Sequence, residues 1–363
     1  MSVGGRVHAH GTVAPGFEPV REAFAAVLRE QHGTGAALAL WRDGVWIVDL
    51  WGGAASSDGS RLWSSDSIVM PYSVSKPFAA MCALVLIDRG LLDLEAPVQR
   101  YWPEFTAPAT VRHVLSHQAG VVAIETATST DAFYDWDHMC ALLAAQQPAW
   151  TPGTAHGESA LFYGHLVGEI VRRVDGRHIG AFLREEICGP SGLDFAFGLT
   201  DAEQTRAVDL TCLDDIVPAS TSDLYRRATT NPPGTRDPAV VNSQPWRATE
   251  VPAINGHGTA RGVAGLYAAL LNGELLSPDL LREATSTQCS GIDRVFGNEN
   301  AWGLGFGIDD EGYGMGGLGG SYGGACTRDA GYAIAFVTGT MGGHERAERV
   351  ENALSECLAM PPR

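Results

Sequence analysis

From Phe78 to Ile87 the chain reads FAAMCALVLI, ten residues without a charge. A helix that is apolar on every side is stable only with protein all around it. This segment therefore predicts a helix through the middle of a domain. Asp88-Arg89-Gly90 supplies its stop, and Pro77 stands in its first turn, where a missing N–H costs little. Immediately before it comes Ser73-Val74-Ser75-Lys76. Lys76 is the sole lysine among 25 basic residues, the other 24 being arginine. Arg cannot lose its proton inside a protein, whereas a buried Lys can. An amine that must act as a base is thus the one basic residue that Arg cannot replace.

The remaining composition bounds the answer. A chain of 363 residues implies two or three structural units, because one core rarely grows past ~250–300 residues. Hydrophobic residues make up 45% and charged residues 18%, an ordinary globular balance. The net charge of −17 argues against nucleic acid and against an anionic membrane surface as partners. No run of about 18 apolar residues predicts a transmembrane helix. The start, MSVGGRVHAHG, has no apolar leader, so a cytoplasmic location is expected. Seven scattered cysteines form no C-x-x-C pair, and their number is odd. Reduced, buried thiols are expected, with no metal site and no cofactor.

Periodicity places the elements. Val20, Phe24, Val27 and Leu28 make one stripe of a helix over 16–31. Residues 36–41 and 45–51 read as a hairpin turning at Arg42-Asp43-Gly44. From about 91 to 290 helical spacing dominates, as in Tyr163 to Val174 and Val263 to Leu271. The Pro-, Gly- and Asn-bearing stretch 228–250 reads as a long surface loop, a kind that often serves as a lid. Strands are expected at 302–308 and 332–337, and a helix at 344–358. Strands at both ends with helices between them predict one α/β domain, 1–72 with 291–363. A mainly helical domain, 73–290, is inserted, and a cleft lies between the two.

Three residues apart at a helix start, Ser73 and Lys76 share one face. A hydroxyl there can pass its proton to a neutral amine. The helix N-terminus favours developing negative charge. A nucleophile, its base and part of an oxyanion hole can thus come from one turn.

Longer stretches carry a resemblance. They are WGGAA at 51–55, YSVSK at 72–76, RGLLDLEAPVQRYWPEF at 89–105 and TVRHVLSHQAGV at 110–121. TPGT at 151–154, GHLVGEIVRRVDG at 164–176, NGHGTARGVAGLYAAL at 255–270 and the Gly-rich strand at 313–321 complete them. The chain resembles the serine β-lactamase and penicillin-binding-protein superfamily, in the class C-like branch with family VIII carboxylesterases and related acyltransferases. The resemblance implies a β-lactamase-like fold, a mixed α/β domain with an antiparallel sheet plus a helical domain. It implies Ser73 as the acylated nucleophile and Lys76 as its base partner. The backbone N–H groups of Ser73 and Leu318 would form the oxyanion hole.

Two departures from the family pattern stand out. The tyrosine that usually follows PGT is replaced by Glu158. The Lys, His or Trp that usually opens the third motif is replaced by Met315, followed by Gly316 and Gly317. An ion pair between Glu158 and Lys76 would keep the amine protonated, which makes Glu158 the candidate base. Met315 offers no cation to a carboxylate, so a neutral apolar acyl group is expected. Tyr72, Met315, Gly316, Gly317 and His156 are the candidate substrate contacts, although packing is the simpler role for His156. Ser73 is expected to take an acyl group from a small ester or amide. Transfer to a small amine or alcohol is favoured over transfer to water, because the usual helpers of water activation are missing. Two other readings stay open: a binding protein that has lost its chemistry, and acid–base work by Glu158 without the serine.

Overall fold

The computed structural model describes residues 8–216, 218–328 and 331–358; the first seven residues of the MSVGGRVHAHG start lie outside these. Strands β1 (His10–Val13), β2 (Ala36–Arg42) and β3 (Val45–Gly52) come from the N-terminal part. Two-residue strands β4 (Phe195–Ala196) and β5 (His257–Gly258) pair apart from the rest. Strands β6 (Cys289–Ile292), β7 (Glu299–Trp302), β8 (Gly307–Ile308), β9 (Gly312–Gly316), β10 (Tyr322–Cys326) and β11 (Tyr332–Thr338) follow. Nine of them form one sheet in the order β1-β3-β2-β11-β10-β9-β8-β7-β6. Its neighbours run antiparallel. The two chain ends meet where β2 pairs with β11, Ala39 opposite Ala335. The five longest helices are α1 (Glu18–Glu30), α2 (Lys76–Asp88), α3 (Tyr163–Asp175), α4 (Ala260–Leu271) and α5 (Glu345–Cys357).

Strand alternation explains the layering. In β2 and β11 the large residues Leu38, Leu40, Ile334 and Phe336 point to one face, where they meet Phe24 and Leu28 of α1 and Val350 and Leu354 of α5. The small residues Ala37, Ala39, Ala333 and Ala335 point to the other face and join the core that holds α2 and α4. Both faces are therefore buried, and the strands read as continuous apolar runs. Alanines on the inner face, and Gly323 on β10 against Val263 and Tyr267, let α4 and the sheet approach closely. The helix α2 packs against α3, and its residues from Phe78 to Leu86 are at most 7% exposed, as its uncharged sequence requires.

Some local expectations change. The strand expected over 302–308 is two strands, because the Gly303 N–H bonds back to Phe306 and closes a turn. Gly305 takes φ +92, and a Cβ there would lie 2.1 Å from the Cβ of Ala80 on α2. Only glycine lets this turn lie on that helix. The stretch 228–250 is not a free surface loop. It contains the end of helix Asp223–Thr230 and two one-turn helices, Pro238–Val241 and Gln244–Ala248. Asp237 and Ser243 cap the short ones through their side chains, and Trp246 is wholly buried. Helices of one turn carry no periodic stripe, so composition alone reads as loop. The edge strands β1 and β6 likewise had no clear signal.

Enlarging the inner face should be costly. Ala335→Leu places added bulk between β11 and α4, and we expect a loss of about 1–3 kcal/mol in urea unfolding at unchanged m-value.

Candidate active site

The site begins with a sharp turn. Tyr72 takes φ +49, a left-handed conformation that costs a non-glycine residue of order 1 kcal/mol. It is held there because its side chain is buried and its hydroxyl donates to the Thr235 carbonyl at 2.9 Å. A tight 3-10 turn, Tyr72–Ser75, then leads straight into α2, and the Lys76 N–H bonds to the Ser73 carbonyl. Ser73 is second in this turn, so its own N–H has no acceptor within it. Ser75 faces away and accepts from the Gly256 N–H at 3.1 Å.

Lys76 is wholly buried, and its Nζ donates to Ser73 Oγ at 2.7 Å. The carbonyls of Ala160 and Ala253 lie 3.1 and 3.3 Å from the same nitrogen. Glu158 Oε1 lies 2.9 Å from Nζ and accepts from Ser73 Oγ at 3.3 Å. The structure thus brings Ser73, Lys76 and Glu158 into mutual contact. The direction of the Lys76 shift differs from the sequence expectation. Burial pushes its ammonium below the ordinary value of 10.5, and the Glu158 carboxylate opposes this only in part. Desolvation outweighs the ion pair because no water reaches this nitrogen. Tyr163 does not stand in for the missing tyrosine, since its buried hydroxyl donates to the Leu115 carbonyl at 3.1 Å.

Glu158 is braced from two sides. The His117 carbonyl accepts from the Gly157 N–H at 3.1 Å, and its Nδ1 accepts from the Ser159 N–H at 3.2 Å. Burial, reinforced by Lys76 and His156, holds the His117 pKa well below its usual range, so the ring stays a neutral acceptor. On the other side stands Asp293, wholly buried between β6 and β7. Its Oδ2 accepts from the Glu158 N–H at 2.8 Å, and its Oδ1 from the N–H groups of Val295 and Phe296 at 2.8 and 2.9 Å. His156 belongs to this brace, not to the cleft wall. Its ring contacts Asn300 Oδ1 at 2.8 Å and is buried.

Ser73 opens into a cavity of about 250 Å³. Tyr72, Glu158, Gly316, Gly317 and Leu318 line it, as expected. Met315 does not. It is 5% exposed and lines a neighbouring cavity that shares Glu158. Gly317 is required where it stands, because a Cβ there would lie 2.1 Å from the Pro71 carbonyl. The turn after β9 is closed by bonds from Gly317 N–H to Ser321 and from Gly320 N–H to Gly317, which leave the Leu318 N–H unused. Further wall residues escaped the sequence reading, among them Arg236, Phe296, Ile254 and His344. Arg236 lies in the stretch 228–250, whose length was its one signal.

The Beta-lactamase family profile matches residues 20–357. The chain belongs to the Beta-lactamase family. This family member is 36% identical over 282 residues to the Esterase/beta-lactamase LipL of Mycobacterium tuberculosis. That match covers 72% of this chain and 64% of LipL, less than two thirds of the relative's length. Among solved structures, it superposes on a family VIII carboxylesterase with a TM-score of 0.88 at 37% identity, covering 96% of this chain and 100% of the other. A penicillin-binding-protein homologue from Caulobacter crescentus gives a TM-score of 0.86 at 32% identity, covering 96% and 99%. The β-lactamase-like fold expected from the sequence is therefore the fold of this chain.

Asp293→Asn tests the brace on Glu158. One of the two acceptor oxygens becomes an amide donor facing an N–H group, and the charge is lost. We expect a loss of about 1–3 kcal/mol in urea unfolding.

Proposed function

We propose that this Beta-lactamase family member is a serine carboxylesterase that works through an acyl-enzyme at Ser73. The observation that carries the reading is the contact set around Lys76: a wholly buried amine within hydrogen-bond distance of Ser73 Oγ, with Glu158 touching both. Neutral Lys76 takes the proton of Ser73 as Oγ attacks the ester carbonyl. The N–H groups of Ser73 and Leu318 hold the oxyanion. Collapse expels the alcohol, which leaves with the proton held by Lys76. Glu158 then orients and deprotonates the water that attacks the acyl-enzyme. The tetrahedral intermediate expels Ser73 Oγ, which takes up the proton as the acid leaves, Glu158 being in reach of that oxygen and of the cavity. The carboxylate at the usual tyrosine position supplies the missing helper for water, so hydrolysis is favoured over the transfer expected from sequence. The names of the relatives, an esterase and a carboxylesterase among them, support the same reading.

The test is intact mass after mixing with 4-nitrophenyl butyrate, together with turnover. A gain of one butyryl group is expected in the wild type and none in Ser73→Ala, with turnover down at least ~10³-fold. Added butylamine or butanol reports the partition between water and other acceptors. No adduct, with turnover persisting in Ser73→Ala, would overturn the nucleophile.

The pH profile of the acylation burst tests the base. Only neutral Lys76 accepts a proton, so the rate should rise with pH along a limb centred below 10.5. Glu158→Gln removes the charge that favours the ammonium, so the limb should move to lower pH. If Glu158 were the base for acylation, the same variant would lose the burst and show no such shift.

A further inference from the structure

We propose that Arg236 is an anion anchor in the Ser73 cavity, so that the favoured substrates are esters carrying a carboxylate. This rests on the acyl-transfer reading above and names its substrate class. It replaces the expectation of a neutral acyl group, which was drawn from Met315, a residue of the adjoining cavity.

Arg236 lines the same cavity as Ser73, on the segment that Tyr72 ties down through Thr235. Its Nη2 donates to the Tyr225 hydroxyl at 3.3 Å. Among the described residues it forms no ion pair, in a protein with 42 acidic and 25 basic side chains. The nearby carboxylates do not neutralise it. Asp237 accepts from the Ala239 N–H as a helix cap. Asp214 is exposed and borders a separate open groove with Arg236 without pairing with it. Glu158, in the same cavity, is held by Lys76.

Glu158 is engaged by Lys76 and Ser73 and makes no ion pair with Arg236, which leaves the guanidinium as the cavity's cation without a carboxylate partner. Leu161, Ile254 and Phe296 contribute apolar wall to the same cavity. A planar fork of N–H donors next to such a wall suits a carboxylate at the end of a short apolar segment. The carboxylate can sit on the acyl side or on the alcohol side of the ester, and the assay separates the two.

Mono-4-nitrophenyl glutarate is compared with its methyl ester for the acyl side. Butyryl 3-hydroxybenzoate is compared with phenyl butyrate for the alcohol side. In the wild type, one charged ester should exceed its neutral counterpart in kcat/KM by roughly tenfold to a hundredfold, the range of one charge-assisted pair. The preference should lie in KM and weaken with added salt. Arg236→Met should abolish the ratio and Arg236→Lys should restore part of it. Absence of any preference in the wild type, or its survival in Arg236→Met, overturns the anchor. Turnover with a Ser73 adduct on any of these esters would still uphold the esterase, whereas absence of turnover and adduct with all of them sinks the esterase reading itself.

Discussion

The nitrogen of Lys76 sits out of reach of water, and the rest of the site is arranged around that fact. Removing an ammonium from water costs several kcal/mol unless oxygens replace the lost hydration. Here they come from three stretches of chain: Ser73 in the preceding turn, Glu158 and Ala160 from the segment after TPGT, and Ala253 before β5. Each must converge on the start of α2 for the amine to be tolerated there. The same burial pushes the amine toward its neutral form. One desolvated group thereby links the packing of the core to the chemistry at its edge.

The sheet makes that convergence possible. Its inner face is small and its outer face is large, as Ala39 and Leu40 show side by side in β2. Small side chains let α4 lie close, and α2 then occupies the interior. Gly317 extends the same economy of space to the site, because β9 ends directly against the Pro71 carbonyl. The Ser73 turn and the turn bearing Leu318 are thus held next to each other by rigid elements, as the proposed oxyanion hole demands.

Much of this was legible in the residues. The uncharged run after Ser73-Val74-Ser75-Lys76 gave the buried helix, and the lone lysine marked the amine. Counting from TPGT reached Glu158, which does stand beside Lys76. Other parts had no local signal. Asp293 supports Glu158 from 135 residues away, and nothing in its neighbourhood says so. His156 looked like a cleft residue by adjacency, yet its ring turns to Asn300. Met315 occupies the motif position and faces another cavity. Arg236 lies among prolines and glycines that read as loop, where two one-turn helices hide.

By itself the sequence determined what local chemistry can determine: a helix apolar on all sides, strands apolar on both faces, and a hydroxyl and an amine one turn apart. These follow from periodicity and from the spacing of neighbours along a helix. Only the tertiary structure decided the balance of forces on Lys76, because desolvation depends on every segment packed around the nitrogen. It alone also decided which cation of the cavity stands without a carboxylate partner, because that depends on the carboxylates that folding places near an arginine or keeps away.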